Sequence, residues 1–338
     1  MPLDGATTSP LPLPEGWSLS ERVDDVVLVE GLTIRRAGLC ATSEHGQAVG
    51  SAAGVGEDPT QRATFELLER IALLEAARSS EKEFPLLSAS GEELGRALSP
   101  EVFPPSDAPD RWAFARSSGV SLHTDWTSAS EGAARELIER DRVLRAWMGQ
   151  TLAVRIPNGA ASSMFSDTPS YDWRTYLFPA GEAPVTRPDV EVVGVFGFPK
   201  APHMPLVFGY GARSSRSEAL LAAQREALQL LAFLWGEPIP DVAPDPVPVP
   251  MTHLETYQVR DRHETLLRWL EEGHAAHHRP LPSVAADHTF RYADLTPPWL
   301  TGRGRVARAL CPAAIPLAFG RSPLLAHLPS HLQIHPIP

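Results

Sequence analysis

Two glutamates and an arginine recur in one phrase. Glu66, Glu69 and Arg70 stand in ELLER, and Glu136, Glu139 and Arg140 stand in ELIER, 70 residues later. Positions i, i+3 and i+4 share one face of a helix, and like charges there repel unless an opposite charge lies between them. A divalent cation is such a charge. Mg2+ takes one or two hard carboxylate oxygens and completes its shell with water and substrate phosphates. Arg70 and Arg140 suit those phosphates, which a guanidinium grips through two parallel hydrogen bonds. A looser version follows at 219–235, ALLAAQREALQLLAFLW, where Glu226 and Gln229 hold the i and i+3 places. Spacing alone therefore predicts a Mg2+–nucleotide site. A solvated Glu/Arg stripe explains one such helix but explains the repetition poorly.

Each phrase needs a helix beneath it. Leu67, Leu68, Ile71 and Leu74 recur at helical spacing behind Asp58-Pro59, an N-cap and first-turn signal, which predicts a helix over 59–79. The second is expected at 127–148, ending near Gly149, and the third at 216–235. Small-residue runs precede them (Gly50, Gly54 and Gly56, then Ser118-Gly119, then Gly209, Gly211 and Ala212). They read as loops that aim backbone N–H groups at an anion from the helix N-termini. Strands are expected at 25–29, 32–34, 112–122, 152–156, 190–198, 205–210 and 305–310, and a short helix at 91–98. Residues 157–180 read as irregular, and six prolines within 238–250 read as a polyproline-II spacer. A polar helix at 257–273 should lie on the surface, and His274, His277 and His278 beyond it read as a solvated loop rather than a metal site. Repeated sheet-plus-helix units around one shared site are the expected architecture, in a mixed α/β fold of the α+β kind.

Composition narrows the classes. The chain has 338 residues, 43% of them hydrophobic and 21% charged, enough for a sizeable core. A formal net charge of −11 argues against a nucleic-acid surface, which needs a basic patch. No apolar run reaches membrane-spanning length, and the N-terminus lacks the basic and apolar regions of a signal peptide. Cys40 and Cys311 form no metal motif, and a reduced cytoplasmic setting is expected. Neither a GxxxxGK[ST] nor a GxGxxG motif is present. Residues 1–20 read as an arm and 21–338 as one domain. The chain ends HLQIHPIP, where Pro336 and Pro338 fix φ and reduce the entropy lost if the tail docks.

Three pieces of the sequence resemble the YcaO family, the ATP-using enzymes that modify backbone amides of ribosomally made peptides. They are GVGEDPTQRATFELLER, RSSGVSLHTDWTSASEGAARELIERDRVLRAW, and the stretch from RVARALCPAAIPLAFG to the terminal IHPIP, together spanning 54–338. The resemblance implies a homodimer with a Mg2+-ATP site between helices, working on a precursor peptide with a separate leader-binding or partner protein. ATP would phosphorylate an amide oxygen after a nucleophile adds to its carbonyl carbon. A side-chain nucleophile would give an azoline, sulfide a thioamide and an amine an amidine. Glu66, Glu69, Glu136 and Glu139 match the family's Mg2+-ATP carboxylates, and Arg140 its phosphate-binding arginine. Glu226 and Gln229 match a third motif, and the Pro338 carboxylate matches a candidate general base. Three departures stand out: Ser118 replaces an asparagine, Ser128 stands where a glutamate is expected, with Glu131 one turn on, and the spacing between Gly56 and Glu66 is about a turn shorter than in many members. They leave a catalytically degenerate partner subunit as the alternative to an active enzyme.

Overall fold

The computed structural model describes residues 13–157, 164–180, 189–273 and 289–338. His274, His277 and His278 lie outside them. The chain begins with a sheet ordered β1-β2-β3, from β1 (Ser18–Val29), β2 (Leu32–Ser43) and β3 (Gly46–Gly54), followed by helix α1 (Thr60–Arg78). Then come β4 (Glu83–Leu87), β5 (Glu93–Leu98), the short α2 (Ser99–Val102), β6 (Trp112–Phe114), β7 (Val120–His123) and α3 (Trp126–Trp147). The third stretch holds β8 (Val154–Ile156), β9 (Tyr171–Leu177), β10 (Glu191–Pro199), β11 (Val207–Arg213) and α4 (Arg216–Leu234). Helices α5 (Pro250–Gln258) and α6 (Arg260–Glu272) follow, then β12 (Arg291–Asp294), β13 (Arg305–Leu310) and β14 (Ala318–Gly320). The remaining sheets run β11-β10-β9-β8, β5-β4-β12-β13-β7 and β14-β6, and the strand pairs are antiparallel. The fold is mixed α/β, with repeated strand-plus-helix units, as expected from the repeated phrase.

Several local expectations need correction. The glycine runs at 50–54 and 209–211 are strands, β3 and β11, rather than loops. Glycine serves there because helix and strand touch. A Cβ on Gly50 would meet Ala63 O at 2.2 Å and Leu67 N at 2.3 Å, and one on Gly209 would meet Ala223 O and Ala227 N at 2.4 Å. Residues 93–98 form strand β5 and not a helix, and the aromatic stretch expected to be irregular contains β9. Alternating aromatic residues are common on strands, and here Tyr171 and Tyr176 are buried. The N-cap of α1 is Pro59, one residue later than expected, and the Asp58 carboxylate before it accepts from Thr60 N–H at 2.9 Å. The polar helix expected at 257–273 is α6, which starts three residues later and exposes Asp261, Glu264 and Arg268 while burying Leu266 and Trp269 in the core; Tyr257 and Gln258 end α5 instead.

Close helix–strand seating is what places the carboxylates, so it is testable. Gly209→Ala must push α4 off β11 and should destabilise the protein by about 1–3 kcal/mol. The thermal midpoint of the variant reads this, and an unchanged midpoint would mean the helix is not seated there.

Candidate active site

The three helices each anchor a glutamate on the strand that precedes them. Ser51 N–H of β3 donates to Glu66 Oε2 at 2.9 Å, Val120 N–H of β7 to Glu136 Oε2 at 3.0 Å, and Tyr210 N–H of β11 to Glu226 Oε2. The residue one turn on reaches the next unit. Glu69 of α1 accepts from Leu122 N–H of β7 at 2.9 Å, and Gln229 of α4 donates to Ser51 Oγ of β3 at 2.9 Å. Glu139 of α3 closes the ring, with Glu226 of α4 and Arg213 of β11 among its charged neighbours. The repeated phrase is thus a ring of three units, each holding its own strand and touching the next.

A cavity of about 520 Å3 opens inside this ring. Glu69, Glu136, Glu139 and Glu226 line it, with Arg135 and Arg213. Arg70 and Arg140 pair with Glu66 and Glu136 at 3.5 and 2.7 Å, and Arg140 Nη1 is buried without a hydrogen-bond partner among the described residues. Burial pushes the Glu69 carboxyl up to about 7 despite Arg70 beside it. Burial also raises Glu139 and Glu226, and negative neighbours add to it. Glu226 is reached by water along the cavity yet surrounded by protein, which is why its carboxyl shifts while remaining accessible. Loss of hydration is the main cause of these shifts, and the closeness of the carboxylates to one another adds to it. A cation among them would favour their ionised forms.

The chain end comes to the same place. The Tyr210 hydroxyl, on the residue whose N–H holds Glu226, donates to Pro336 O at 2.9 Å. Trp147 Nε1 donates to Leu332 O at 2.8 Å, Tyr257 OH bonds Ile334 O, and Ile337 is buried. The tail is therefore docked, not frayed. Two buried histidines clamp it. Gly320 N–H donates to His253 Nε2 at 2.9 Å, so Nδ1 of His253 carries the proton and faces His335 O at 3.0 Å. His335 Nε2 in turn lies 2.9 Å from Ala318 O, and its Nδ1 accepts from Ile337 N–H at 3.3 Å. Both rings are neutral in this arrangement, and burial holds His253 down to about 4 and His335 well below the usual histidine range.

In the unfolded chain a histidine titrates near pH 6.5, so the pair's contribution is present above about 6.5 and is lost as pH falls toward 4. Glu69, raised to about 7, works the other way: its contribution is lost as pH rises from about 4.5. A variant separates the two. The fall in urea midpoint on going from pH 7 to pH 5 should be smaller in His253→Asn than in the parent, and equal slopes would contradict the clamp.

The sequence model described as YcaO cyclodehydratase, ATP- and Mg2+-binding, matches residues 97–298. The chain belongs to the YcaO family. This YcaO is accordingly an ATP-dependent enzyme whose family binds ATP and Mg2+. Its fold is similar to that of YcaO from Methanopyrus kandleri bound with AMPPCP and Mg2+, at TM-score 0.57 and 17% identity, covering 88% of this chain and 86% of that one. A heterocyclase in complex with substrate and cofactor aligns at TM-score 0.60 and 15% identity over 95% of this chain, which spans only 54% of that longer protein. The E. coli microcin synthetase McbBCD complex contains a chain similar at TM-score 0.56 and 14% identity, with 92% and 90% covered. No curated protein matches the sequence.

The donor set of this YcaO fits Mg2+ shared with a nucleotide. Among the described residues no group of three carboxylate, histidine or cysteine side chains is arranged to hold a metal ion. Mg2+ does not require one, since one or two carboxylates plus phosphate oxygens and water suffice. Of the residues singled out in the sequence, Glu69, Glu136, Glu139 and Glu226 line the cavity. Glu66, Arg70 and Arg140 stand behind it through their pairs, and Gln229 and Pro338 line a neighbouring space. Sequence reasoning missed Arg135 and Arg213. Arg135 directly precedes the second phrase, a position that deserved weight, whereas Arg213 lies on a strand with no repeated signature. Ser118 does not line this cavity at all, and Ser128 lines it beside Glu131 while capping α3 through Asp125, with Oγ 2.8 Å from Oδ2. Among the described residues no helix is long and apolar enough to cross a membrane.

Proposed function

We propose that this YcaO binds Mg2+-ATP in the ring cavity and uses it to cyclodehydrate backbone amides of a ribosomally made precursor peptide, giving azolines. The observation that supports this is the meeting of two features at Tyr210: the carboxylate ring and the docked chain end. Glu69, Glu136, Glu139 and Glu226 are the proposed metal-facing carboxylates. Glu66 fixes Arg70, and Glu136 fixes Arg140, so that both guanidiniums balance charge or hold phosphate. Gln229 ties α4 to β3, which keeps the third helix in register with the first. The bound nucleotide supplies the phosphoryl group that turns a poor leaving group, the amide oxygen, into a good one. The Pro338 carboxylate is the proposed general base that takes the proton from the attacking group or the amide nitrogen.

Two assembly proposals accompany this reading. The E. coli neighbour is a multi-protein synthetase complex, which supports a separate protein that recognises the precursor's leader. A homodimer is proposed through β1, an edge strand whose Val26 and Leu28 are 61% and 65% exposed. Sedimentation should show the parent as a dimer and Leu28→Lys shifted toward monomer. A parent sedimenting as a monomer would end that proposal. The functional reading is tested by incubating the protein and a candidate Cys-, Ser- and Thr-containing precursor with ATP and Mg2+. The peptide should lose one water per phosphate released. A sulfide- or amine-dependent mass change instead would assign thioamide or amidine chemistry, and ATP use without any peptide change would contradict all three.

A further inference from the structure

The ring cavity has a neighbour of different character. A second cavity of about 480 Å3 runs along the C-terminal half of α4, bounded by the β1–β3 sheet, α5 and the chain end. Glu226 is the one described residue that lines both, and Gln229 and Pro338 line the second alone. The first is walled by carboxylates and guanidiniums. The second is walled largely by Leu39, Val49, Phe233, Leu234, Met251 and Leu254. Leu39 and Leu254 sit deep, 9% and 6% exposed, whereas Val49 and Met251 are 50% and 55% exposed at the rim.

We infer that this second cavity is the peptide-side subsite, and that it selects an amide preceded by a residue with a large apolar side chain. The inference rests on the function proposed above. If a phosphate is held beside Glu226 and the base is the Pro338 carboxylate, the reacting amide lies between them, in the space these two residues share. The side chain next to that amide then meets the apolar wall. Burying a leucine or phenylalanine there is favourable in proportion to the apolar area removed from water. Arg22 also lines the cavity, but it is paired with Asp24 at 3.2 Å and adjoins Glu21, so an acidic side chain is disfavoured by desolvation against the apolar wall and by repulsion from Glu226 and the terminal carboxylate. The occupant is therefore an extended peptide segment, apolar before the reacting position. A volume near 480 Å3 lies within the range of small-molecule sites, enough for a short segment and not for a folded domain.

The test uses the whole protein loaded with Mg2+ and AMPPCP, titrated with acetylated tripeptide amides X-Cys-Gly in which X is Leu, Phe, Ala or Asp. The Leu and Phe peptides should bind about tenfold or more tighter than the Asp peptide, the scale of burying one apolar side chain. Met251→Asp, and separately Val49→Asp, should shrink that preference to about threefold or less; both alter exposed rim positions, and a thermal melt checks that they fold. Equal affinity for all four peptides, binding of none, or a preference untouched in both variants would overturn the subsite while leaving nucleotide binding intact. Failure of AMPPCP to bind the parent would overturn the functional reading and the subsite together.

Discussion

Glu136→Gln should lower ATP turnover by about a hundred- to a thousandfold, the scale seen when one preorganised electrostatic contact is removed from a reacting centre. The substitution is gentle to the fold. Glu136 accepts Val120 N–H through Oε2, and a glutamine carbonyl accepts the same bond, so α3 stays seated on β7. What disappears is charge. Oε1 pairs with Arg140 at 2.7 Å, and the neutral amide would free that guanidinium while removing a negative wall from the cavity. Retention of folding is checked by the thermal midpoint, and turnover by phosphate release. Full turnover in a folded variant would remove Glu136 from the site, and with it the reason for reading ELIER as chemistry.

Deleting Pro336-Ile337-Pro338 should cut peptide modification by at least about a hundredfold, the scale expected for a positioned base, with much less change in nucleotide affinity. The tail has a packing role in the structure and a proposed chemical one. Pro336 O accepts the Tyr210 hydroxyl and Ile337 packs in the core, which is structural, whereas the Pro338 carboxylate is the proposed base. Adding a single glycine after Pro338 distinguishes them, because it keeps every tail contact and moves only the carboxylate. Loss in both the truncated and extended forms supports the base. Loss in the truncated form alone would assign the tail to packing, and full activity in both would return it to an ordinary terminus.

The sequence made the helices and their carboxylates legible because a like-charged pair one turn apart is a local signal, and its recurrence in α1 and α3 is hard to produce otherwise. The partners of those carboxylates were not legible. Ser51, Val120 and Tyr210 offer backbone N–H groups, which no side-chain pattern records. The glycines at 50 and 209 were visible, but their cause was misplaced: they admit a helix to a strand rather than making a loop, a distinction set by tertiary contact. Strand β9 was hidden for the opposite reason, since Tyr171, Trp173 and Tyr176 carry strand preference amid turn residues that mask the alternation. The tail's prolines predicted an entropically cheap docked end, and the clamp of His253 on His335 across 82 residues is a contact only the fold could supply. The cavity arginines divide the same way: Arg135 adjoins a repeated phrase, and Arg213 does not.

On the proposed function, the carboxylate ring holds a nucleotide through Mg2+. Calorimetric titration of the isolated protein with AMPPCP, with and without Mg2+, tests it most directly. Saturable binding that requires Mg2+ and weakens in Glu136→Gln is the predicted result. Binding that is indifferent to Mg2+ and to that substitution, or no binding of AMPPCP at all, would contradict it.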